Sequence, residues 1–328
     1  MAGNDLLRRI SALVIGAIAL VGQVLANPFG HELIAEAAIF AIFAMSLDLL
    51  AVSGLISFGH AGFLGIGAYA YGGLTVLLGW PPGPAVVAAV LVGAAIAAVV
   101  GLFVLRTSGV FFIMVTLAVS LMFYAWAFRN PTFNGADGMG GIARLQLSAL
   151  GIDLDDPAAF SGLTIVLCAA VWIGLEIVLG SPFGRTLSAI RQNPNRVRAL
   201  GGRVFGCRLA AYVVSGAIAA FAGTLTAQHA NFISPDIGNW FVSGDALIAI
   251  VIGGIGTLTG PLLGATLLVV LKEVLSSHVG HWMLWLGMVF IGVAMFMPKG
   301  IIGALMQWQD RRAAIGTRRD DPNSAGNL

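Results

Sequence analysis

Apolar residues along the chain occur in long blocks that short polar stretches separate. Each block is roughly 17–25 residues long, the length that an α-helix needs to cross about 30 Å of hydrocarbon. The blocks lack the alternation of a barrel strand, and backbone groups in lipid must find partners within their own segment. The predicted spans cover residues 10–26, 33–52, 55–78, 84–105, 110–128, 160–180, 209–229, 242–258, 261–279 and 282–298. The pattern therefore predicts an all-α, polytopic membrane protein with about ten transmembrane helices.

Composition supports this interpretation and argues against a soluble protein. Apolar residues make up 58% of the 328 positions and charged residues only 10%, whereas a soluble domain carries roughly 25% charged residues. The 44 glycines are typical of membrane helices that pack closely through small residues. Residues 1–300 are predicted to form one transmembrane domain, and residues 301–328 a cytoplasmic tail whose polar end is expected to be disordered.

The distribution of basic residues indicates how the spans are oriented. Two arginines precede the first span and place the N-terminus in the cytoplasm. Ten alternating spans then put the arginine-rich stretch 181–208 and the C-terminus in the cytoplasm, and the aspartate-containing loop 129–159 outside. Arg129 and Arg144 fall on the outer side, in a loop long enough for the rule to be weaker.

Motifs for chemistry are missing from the sequence. Neither a Cys-x-x-Cys nor a His-Glu-x-x-His pattern is present, so no metal site is predicted. The glycines at 253–256 lack the Gly-Lys-Ser/Thr that would complete a phosphate-binding loop. No catalytic residue is therefore expected, and any use of nucleotide energy requires an ATPase on another chain.

The segment 53–70, SGLISFGHAGFLGIGAYA, combines a high glycine density with a single histidine, His60. Its glycines, including Gly62 and Gly65, predict a broken or tightly packed helix rather than a smooth one. Two interpretations of His60 are open: contact with a transported substrate, or a hydrogen bond from its ring to a neighbouring carbonyl. His60, Gly62 and Gly65 are candidates for a substrate pathway.

A second glycine-rich interruption lies at 253–260, within apolar sequence. Gly253 and Gly254 are further pathway candidates, since an interrupted helix can line a cavity. The alternative is a short cytoplasmic turn, with Pro261 at the first position of the next helix. The predicted topology favours the turn.

The stretch 181–208 carries six arginines and is the longest predicted cytoplasmic loop. It is predicted to form two short helices that break near Asn193-Pro194, with Ile190, Val197 and Leu200 on an apolar side. It can be interpreted as a set of positive-inside anchors or as a docking element for a cytoplasmic partner.

Ionisable side chains within the predicted spans are few, and such residues are functional candidates because charge at membrane depth is costly. They are Glu36, Asp48, Glu176, Asp245, Lys272 and Glu273. Asp48, Glu176 and Asp245 lie near predicted span ends and are expected to reach water. Lys272 and Glu273 point in different directions on a helix and are not expected to pair with each other.

Six stretches, taken in order, carry a resemblance to a known family. They are SLDLLAVSGLISFGHAGFLGIGAYA (46–70), LRTSGVFFIMVTLA (105–118), NGADGMGGI (134–142), GRTLSAIRQNP (184–194), RALGGRVFGCRLAAYVVSGAIAAFAGTLTA (198–227) and GGIGTLTGPLLGA (253–265). Together they resemble the M-type permease subunits of branched-chain amino acid ABC importers, over most of residues 33–300. The resemblance implies the permease fold of the branched-chain amino acid/ribose type, in the bacterial cytoplasmic membrane.

The resemblance also implies partners. The chain would pair with a homologous H-type permease, two cytoplasmic ATPases that bind ATP, and a periplasmic or lipid-anchored substrate-binding protein, so no cofactor is expected on this chain. By position, residues 191–201 would be a coupling helix seated in an ATPase groove, with Arg191, Asn195, Arg198, Ala199, Leu200 and Gly201 as its candidate contacts. The sequence departs from the family at Arg196 and Val197, where small residues are usual.

On the outer side, Asp137 is the polar candidate for facing the binding protein or the pathway mouth. Its alternative is a plain Asp-Gly turn. The same fold importing urea, short amides or another amino acid class is an alternative function, because such relatives share these motifs. A secondary transporter without an ATPase would need membrane-embedded carboxylates or a charge relay, and the spans offer few.

Overall fold

The computed structural model describes Gln23 and residues 26–146, 153–296 and 300–301 of the chain. Its α-helices are α1 (Pro28–Val52), α2 (His60–Gly72), α3 (Pro82–Val104), α4 (Val110–Arg129), α5 (Pro157–Gly180), α6 (Pro182–Gln192), α7 (Pro194–Ala199), α8 (Val204–Ala230), α9 (Trp240–Gly253), α10 (Thr259–His278) and α11 (Trp282–Phe296). A π-helical turn, Gly73–Leu77, continues α2. Short 3-10 turns are formed by Pro131–Phe133, Gly135–Asp137 and Pro235–Gly238. Two short strands, β1 (Met139–Gly140) and β2 (Phe232–Ile233), pair antiparallel.

In the part of the chain that the structure describes, nine of the predicted spans coincide with one helix each, in the predicted order. Six of these helices, α1, α3, α4, α5, α8 and α10, are long and apolar enough to cross a membrane by themselves. The all-α membrane architecture is therefore confirmed, while the count of ten stays a prediction. Almost all of the predicted span 10–26 and of the tail 301–328 lies outside the described residues.

Proline and polar caps set where many of the helices begin. Five helices, α1, α3, α5, α6 and α7, start with a proline, whose missing N–H costs nothing at the first position. Asn27, Asp156, Ser181 and Asn193 precede four of these prolines, and each side chain accepts a hydrogen bond from a backbone N–H of the first turn. The polar breaks between apolar blocks thus act as helix caps.

The centre of the bundle is formed by α8, which packs against α1, α2 and α3. Gly67 of α2 lies directly against the backbone of Ala220 in α8, and Gly223 of α8 lies against the carbonyl of Leu64 in α2. A Cβ atom at either glycine would overlap these backbone atoms. The close contact of α2 with α8 therefore depends on the absence of side chains, the usual basis of helix association in membranes.

The loops gather at two opposite ends of the bundle. At one end, residues 130–146 and 231–239 are joined through β1 and β2, and we call this the capped end. At the other, residues 181–208, with α6 and α7, lie beside the turns that begin at 53 and 254, and we call this the arginine-rich end. The predicted topology, in which successive spans alternate in direction, also places the loops 129–159 and 181–208 at opposite ends.

Candidate functional site

The break between α1 and α2 is irregular backbone inside the helix bundle. The N–H of Phe58 donates to Oγ1 of Thr116 in α4 at 3.2 Å, and the N–H of Ala61 donates to Oγ of Ser243 in α9 at 2.8 Å. Both hydroxyl residues are fully buried. Irregular backbone at membrane depth is tolerated only where such partners are available. The segment 53–70, predicted as a broken or tightly packed helix, is a break at 53–59 followed by the continuous, close-packed α2. Thr116 and Ser243, buried hydroxyls in apolar spans, are partners of this break that the sequence analysis missed.

His60 begins α2 and is fully buried, with the rings of Phe63 and Tyr212 edge-on to it at centroid distances of 5.8 and 6.1 Å. Its Nε2 lies 2.5 Å from Oγ of Ser215 in α8, and this hydroxyl donates to the carbonyl of Ser46 in α1 at 2.5 Å. Because the serine has one proton and gives it to Ser46, Nε2 of His60 must be the donor. His60 therefore links three helices through a serine hydroxyl, and its contact with substrate stays a prediction.

The two pathway glycines of α2 lie at its contact with α4. A Cβ atom at Gly62 would sit 3.5 Å from Cα of Ser120, and one at Gly65 would overlap the ring of Phe123. Ser120 also donates to the carbonyl of Gly238 at 2.8 Å, which joins α4 to the 3-10 turn at the capped end. Both glycines are close-packing positions in this structure, and their role in lining a pathway stays a prediction.

The second glycine-rich interruption is a turn between α9 and α10. Gly253 is the last residue of α9 and Gly254 caps it with φ +116°, a conformation that favours glycine. Gly253 also packs directly on the carbonyl of Gly260. The turn that the topology favoured is therefore present, although α10 begins at Thr259, so Pro261 is its third residue rather than its first.

Asp48 of α1 holds this turn in place. Its Oδ1 accepts from the N–H of Gly256 at 2.6 Å, and its Oδ2 lies 3.4 Å from the N–H of Leu258. The expectation that Asp48 reaches water was wrong, because its side chain is fully buried. The turn folds over the end of α1 and replaces water with its own amide donors, which compensates the cost of burying the carboxylate.

An ion pair joins α9 and α10. Nζ of Lys272 lies 2.5 Å from Oδ2 of Asp245, and about a third of each side chain is exposed. The carboxyl group of Glu36 in α1 interacts electrostatically with both Lys272 and Glu273. Lys272 thus finds its partner on the neighbouring helix, 27 positions away in sequence, and this ion pair was not predicted.

Asp137 lies at the capped end, in the short 3-10 turn Gly135–Asp137, and is exposed. With Arg129, Pro131, Asn134 and Gly135 it lines an open concavity of about 500 Å³. An exposed carboxylate beside an arginine at the mouth of the bundle suits contact with a soluble partner. The choice between that role and a plain turn stays open.

Arg144 fastens the loop of the capped end to the bundle. Its guanidinium donates to four backbone carbonyls, at 3.1–3.3 Å, and lies 4.8 Å above the ring of Phe160. The carbonyls belong to Leu154, Asp155, Gln228 and His229. The position of this arginine on the predicted outer side is explained by these contacts, since it satisfies the carbonyls at the C-terminus of α8.

The arginine-rich end presents the predicted pair of short helices. Asn193 separates α6 from α7 and its side chain accepts from the N–H of Arg196 at 3.0 Å, so the predicted break is confirmed. On α6, Leu187 and Ile190 are fully buried against the bundle. The amphipathic character of α6 therefore attaches it to the membrane domain.

The segment that follows, α7, faces away from the bundle. Asn195, Arg198, Ala199 and Gly201 are exposed, and Leu200 is 83% exposed. Of the residues predicted to share an apolar side, Ile190 is buried and Leu200 is exposed, with Gly201 after it at φ +82°. The role of the exposed residues of α7 as contacts with a partner stays a prediction.

These features define a class of protein. Helices long enough to span a membrane surround a close-packed core, and the arginine-rich helices at one end are exposed. Among the residues that the structure describes, no group of three or more His, Cys, Asp and Glu could hold a metal ion. The chain is a multi-pass membrane protein.

Comparison with known proteins identifies the family. The sequence pattern described as "Branched-chain amino acid transport system / permease component" matches residues 31–297, and the chain belongs to this family. It is 26% identical to the high-affinity branched-chain amino acid transport system permease protein LivM of Salmonella typhimurium, over 92% of this chain and 76% of the relative. The LivM protein of Escherichia coli is 28% identical over 80% of this chain and 68% of its own length.

A further relative imports a different compound. The autoinducer 2 import system permease protein LsrC of Yersinia pseudotuberculosis is 32% identical over 38% of this chain and 40% of its own length. The resemblance to LivM-type permeases is thus confirmed, and the chain is a permease of ABC importer type. The family implies ATPase and substrate-binding partners.

Proposed function

We propose that this chain is the M-type half of a heteromeric importer that moves branched-chain amino acids across the bacterial cytoplasmic membrane. The match of the family pattern over residues 31–297 is the observation that carries this proposal. The two LivM relatives, which cover most of the chain, favour branched-chain amino acids over the autoinducer imported by LsrC, which matches a shorter part.

The arginine-rich end faces the cytoplasm in this proposal. Short cytoplasmic loops are enriched in arginine and lysine, and residues 181–208 contain six arginines. The capped end then faces outward, where its exposed Asp137 is available to a loaded binding protein. Both assignments agree with the predicted topology.

Energy enters through separate ATPase subunits, since no phosphate-binding loop is found in this sequence. The exposed segment 194–201, with Leu200 at its tip, docks in a groove of one ATPase. Closure of the ATPase pair on ATP moves this segment and reorients the two permeases by alternating access. A homologous H-type permease supplies the other half of the translocation pathway.

The experiment is ATP-driven uptake of radiolabelled leucine into proteoliposomes that contain this chain, the neighbouring permease, both ATPases and the binding protein. Omission of this chain should abolish uptake, and unlabelled isoleucine and valine should compete. Competition by urea, acetamide or autoinducer 2 instead would keep the mechanism and replace the substrate. Leucine accumulation that persists without the ATPases would contradict the proposal.

A further inference from the structure

The last turn of α6 lies close to two glycines, Gly54 and Gly256, that belong to different turns of the arginine-rich end. A Cβ atom placed on Gly54 would lie 3.4 Å from both Cα and Cγ of Arg191. Gly54 is held at φ +81°, where a side chain would be strained. Any side chain at position 54 would therefore be in contact with Arg191.

The far end of the same side chain reaches the turn between α9 and α10. A Cβ atom on Gly256 would lie 3.3 Å from Nη1 of Arg191 and 3.8 Å from Cγ2 of Val52. Gly256 also has positive φ, at +80°. Val52, Ser188, Arg191, Gln192 and Gly256 line one groove of about 400 Å³. A single arginine thus lies across both turns.

Both turns are firmly attached to the membrane helices. Asp48 of α1 accepts from the N–H of Gly256 at 2.6 Å, and the N–H of Gly54 donates to the carbonyl of Ala51 at 3.0 Å. The first turn leads within a few residues to His60 and α2, and the second leads to α10. The two turns beside Arg191 thus lead directly into α2 and into α10.

We propose that Arg191 is the positioning residue that transmits movement of the arginine-rich helices to α2 and α10, rather than a contact of the ATPase groove. The proposal rests on the importer function above. In this arrangement α7 meets the ATPase, α6 carries the displacement, and Arg191 delivers it to Gly54 and Gly256. Gly54 and Gly256 are the two backbone positions beside which the Arg191 side chain lies.

The test uses the complete importer in proteoliposomes and compares Arg191→Ala with Arg185→Ala. Arg185 lies on the same helix and is exposed, so it is a matched control. The quantity is substrate imported per ATP hydrolysed. We expect this ratio to fall about tenfold for Arg191→Ala, within the usual range of coupling between sites of about 5–150-fold, and to stay unchanged for Arg185→Ala.

Two further variants separate transmission from a structural role. Arg191→Met keeps the Cβ and Cγ that meet Gly54 but removes the guanidinium near Gly256, so it should restore part of the ratio. Arg191→Lys should restore more of it. The thermal unfolding midpoint of the purified complex should be the same for all four variants if Arg191 acts in transmission.

The outcomes are distinct from those for the proposed function. A wild-type complex without ATP-dependent uptake contradicts the importer function itself. An active wild-type complex in which Arg191→Ala equals Arg185→Ala, or in which Arg191→Ala releases the ATPase from the purified complex, overturns only the transmission role. An unfolding midpoint that is lower for Arg191→Ala than for Arg185→Ala also overturns it, because it indicates a structural role.

Discussion

The two ends of the bundle solve the same problem, how to finish a set of helices at a membrane surface, in opposite ways. At the capped end, one arginine side chain binds four carbonyls and a two-stranded ladder closes the loop. At the arginine-rich end, Leu200 is 83% exposed and the arginines of α7 are exposed around it. The loop of the capped end is thus held by contacts within the chain, whereas α7 at the other end is exposed.

The contrast shows that charge alone does not identify a docking surface. Arg144 lies in a loop and Arg198 in the short helix α7. The guanidinium of Arg144 is bound to four backbone carbonyls, whereas that of Arg198 donates to the side chain of Asn195 at 3.1 Å. What distinguishes them is whether the surrounding backbone already satisfies the guanidinium. Substitution of a side chain that the backbone already binds should therefore affect stability, and substitution of an exposed side chain of α7 should affect coupling.

The largest effect is expected for Leu200→Asp. A carboxylate in an apolar contact should lower ATP-driven uptake by about tenfold or more, because an unpaired charge in an interface costs several kcal/mol, and about 1.4 kcal/mol already corresponds to tenfold. The unfolding midpoint should not change, since residue 200 is exposed. Leu200→Met is the control and should retain uptake. Normal uptake by Leu200→Asp would show that the exposed leucine is not a contact.

At the opposite end, Arg144→Ala should destabilise the protein without acting on the ATPase contact. Loss of hydrogen bonds to four carbonyls and of packing on Phe160 is expected to cost about 2–4 kcal/mol, measured as a lower thermal unfolding midpoint in detergent. Arg129→Ala is the matched control, because Arg129 is an exposed arginine of the same end. Equal midpoints for the two variants would contradict the capping role of Arg144.

Two carboxylates, the buried Asp48 and the exposed Asp137, are also expected to differ in their contribution to stability. Asp48→Asn keeps the shape of the side chain but removes the charge that strengthens its bonds to Gly256 and Leu258, so a loss of about 1–2 kcal/mol is expected. Asp137→Asn, on an exposed residue, should change stability by less than about 0.5 kcal/mol. Unfolding midpoints measure both variants. A larger loss of stability for Asp137→Asn than for Asp48→Asn would contradict the structural role of Asp48.

The smallest effect is expected for Tyr71→Phe. Its hydroxyl donates to the carbonyl of Ala143, in the loop of the capped end, at 2.7 Å. A single hydrogen bond of this kind contributes about 1 kcal/mol. The control is Tyr124→Phe, a partly exposed tyrosine of α4. A sensitive readout is hydrogen exchange of residues 139–146, which should be faster only in Tyr71→Phe. Unchanged exchange would show that the hydrogen bond of Tyr71 does not hold the loop.

The sequence was sufficient to predict the helices but not their partners. Apolar blocks and proline-containing breaks predicted nine spans that coincide with helices, because length and hydropathy are local properties. Whether Asp48 is exposed depends on a turn more than 200 positions away in sequence, and the ion pair of Asp245 with Lys272 depends on the packing of two helices. Such contacts are set by tertiary structure.

Hydropathy also failed to predict which helices are central. The spans in α1 and α5 have nearly equal mean hydropathy, 2.1 and 2.3, yet 72% of the first is buried in the protein and only 17% of the second. Lipid is as apolar as a protein core, so apolar side chains suit both positions. Buried hydroxyls do not separate the two helices either, because Ser46 of α1 and both Ser161 and Thr164 of α5 are fully buried.

Site-specific photocross-linking tests the difference between the two ends most directly. A benzoylphenylalanine would replace Leu200 in one version of the assembled importer and Asp137 in another, and cross-linked products would be identified with antibodies to each subunit. The account predicts that position 200 cross-links to an ATPase and that position 137 does not. Cross-linking of position 137 to the ATPase, or none from position 200 in a complex that hydrolyses ATP, would contradict it.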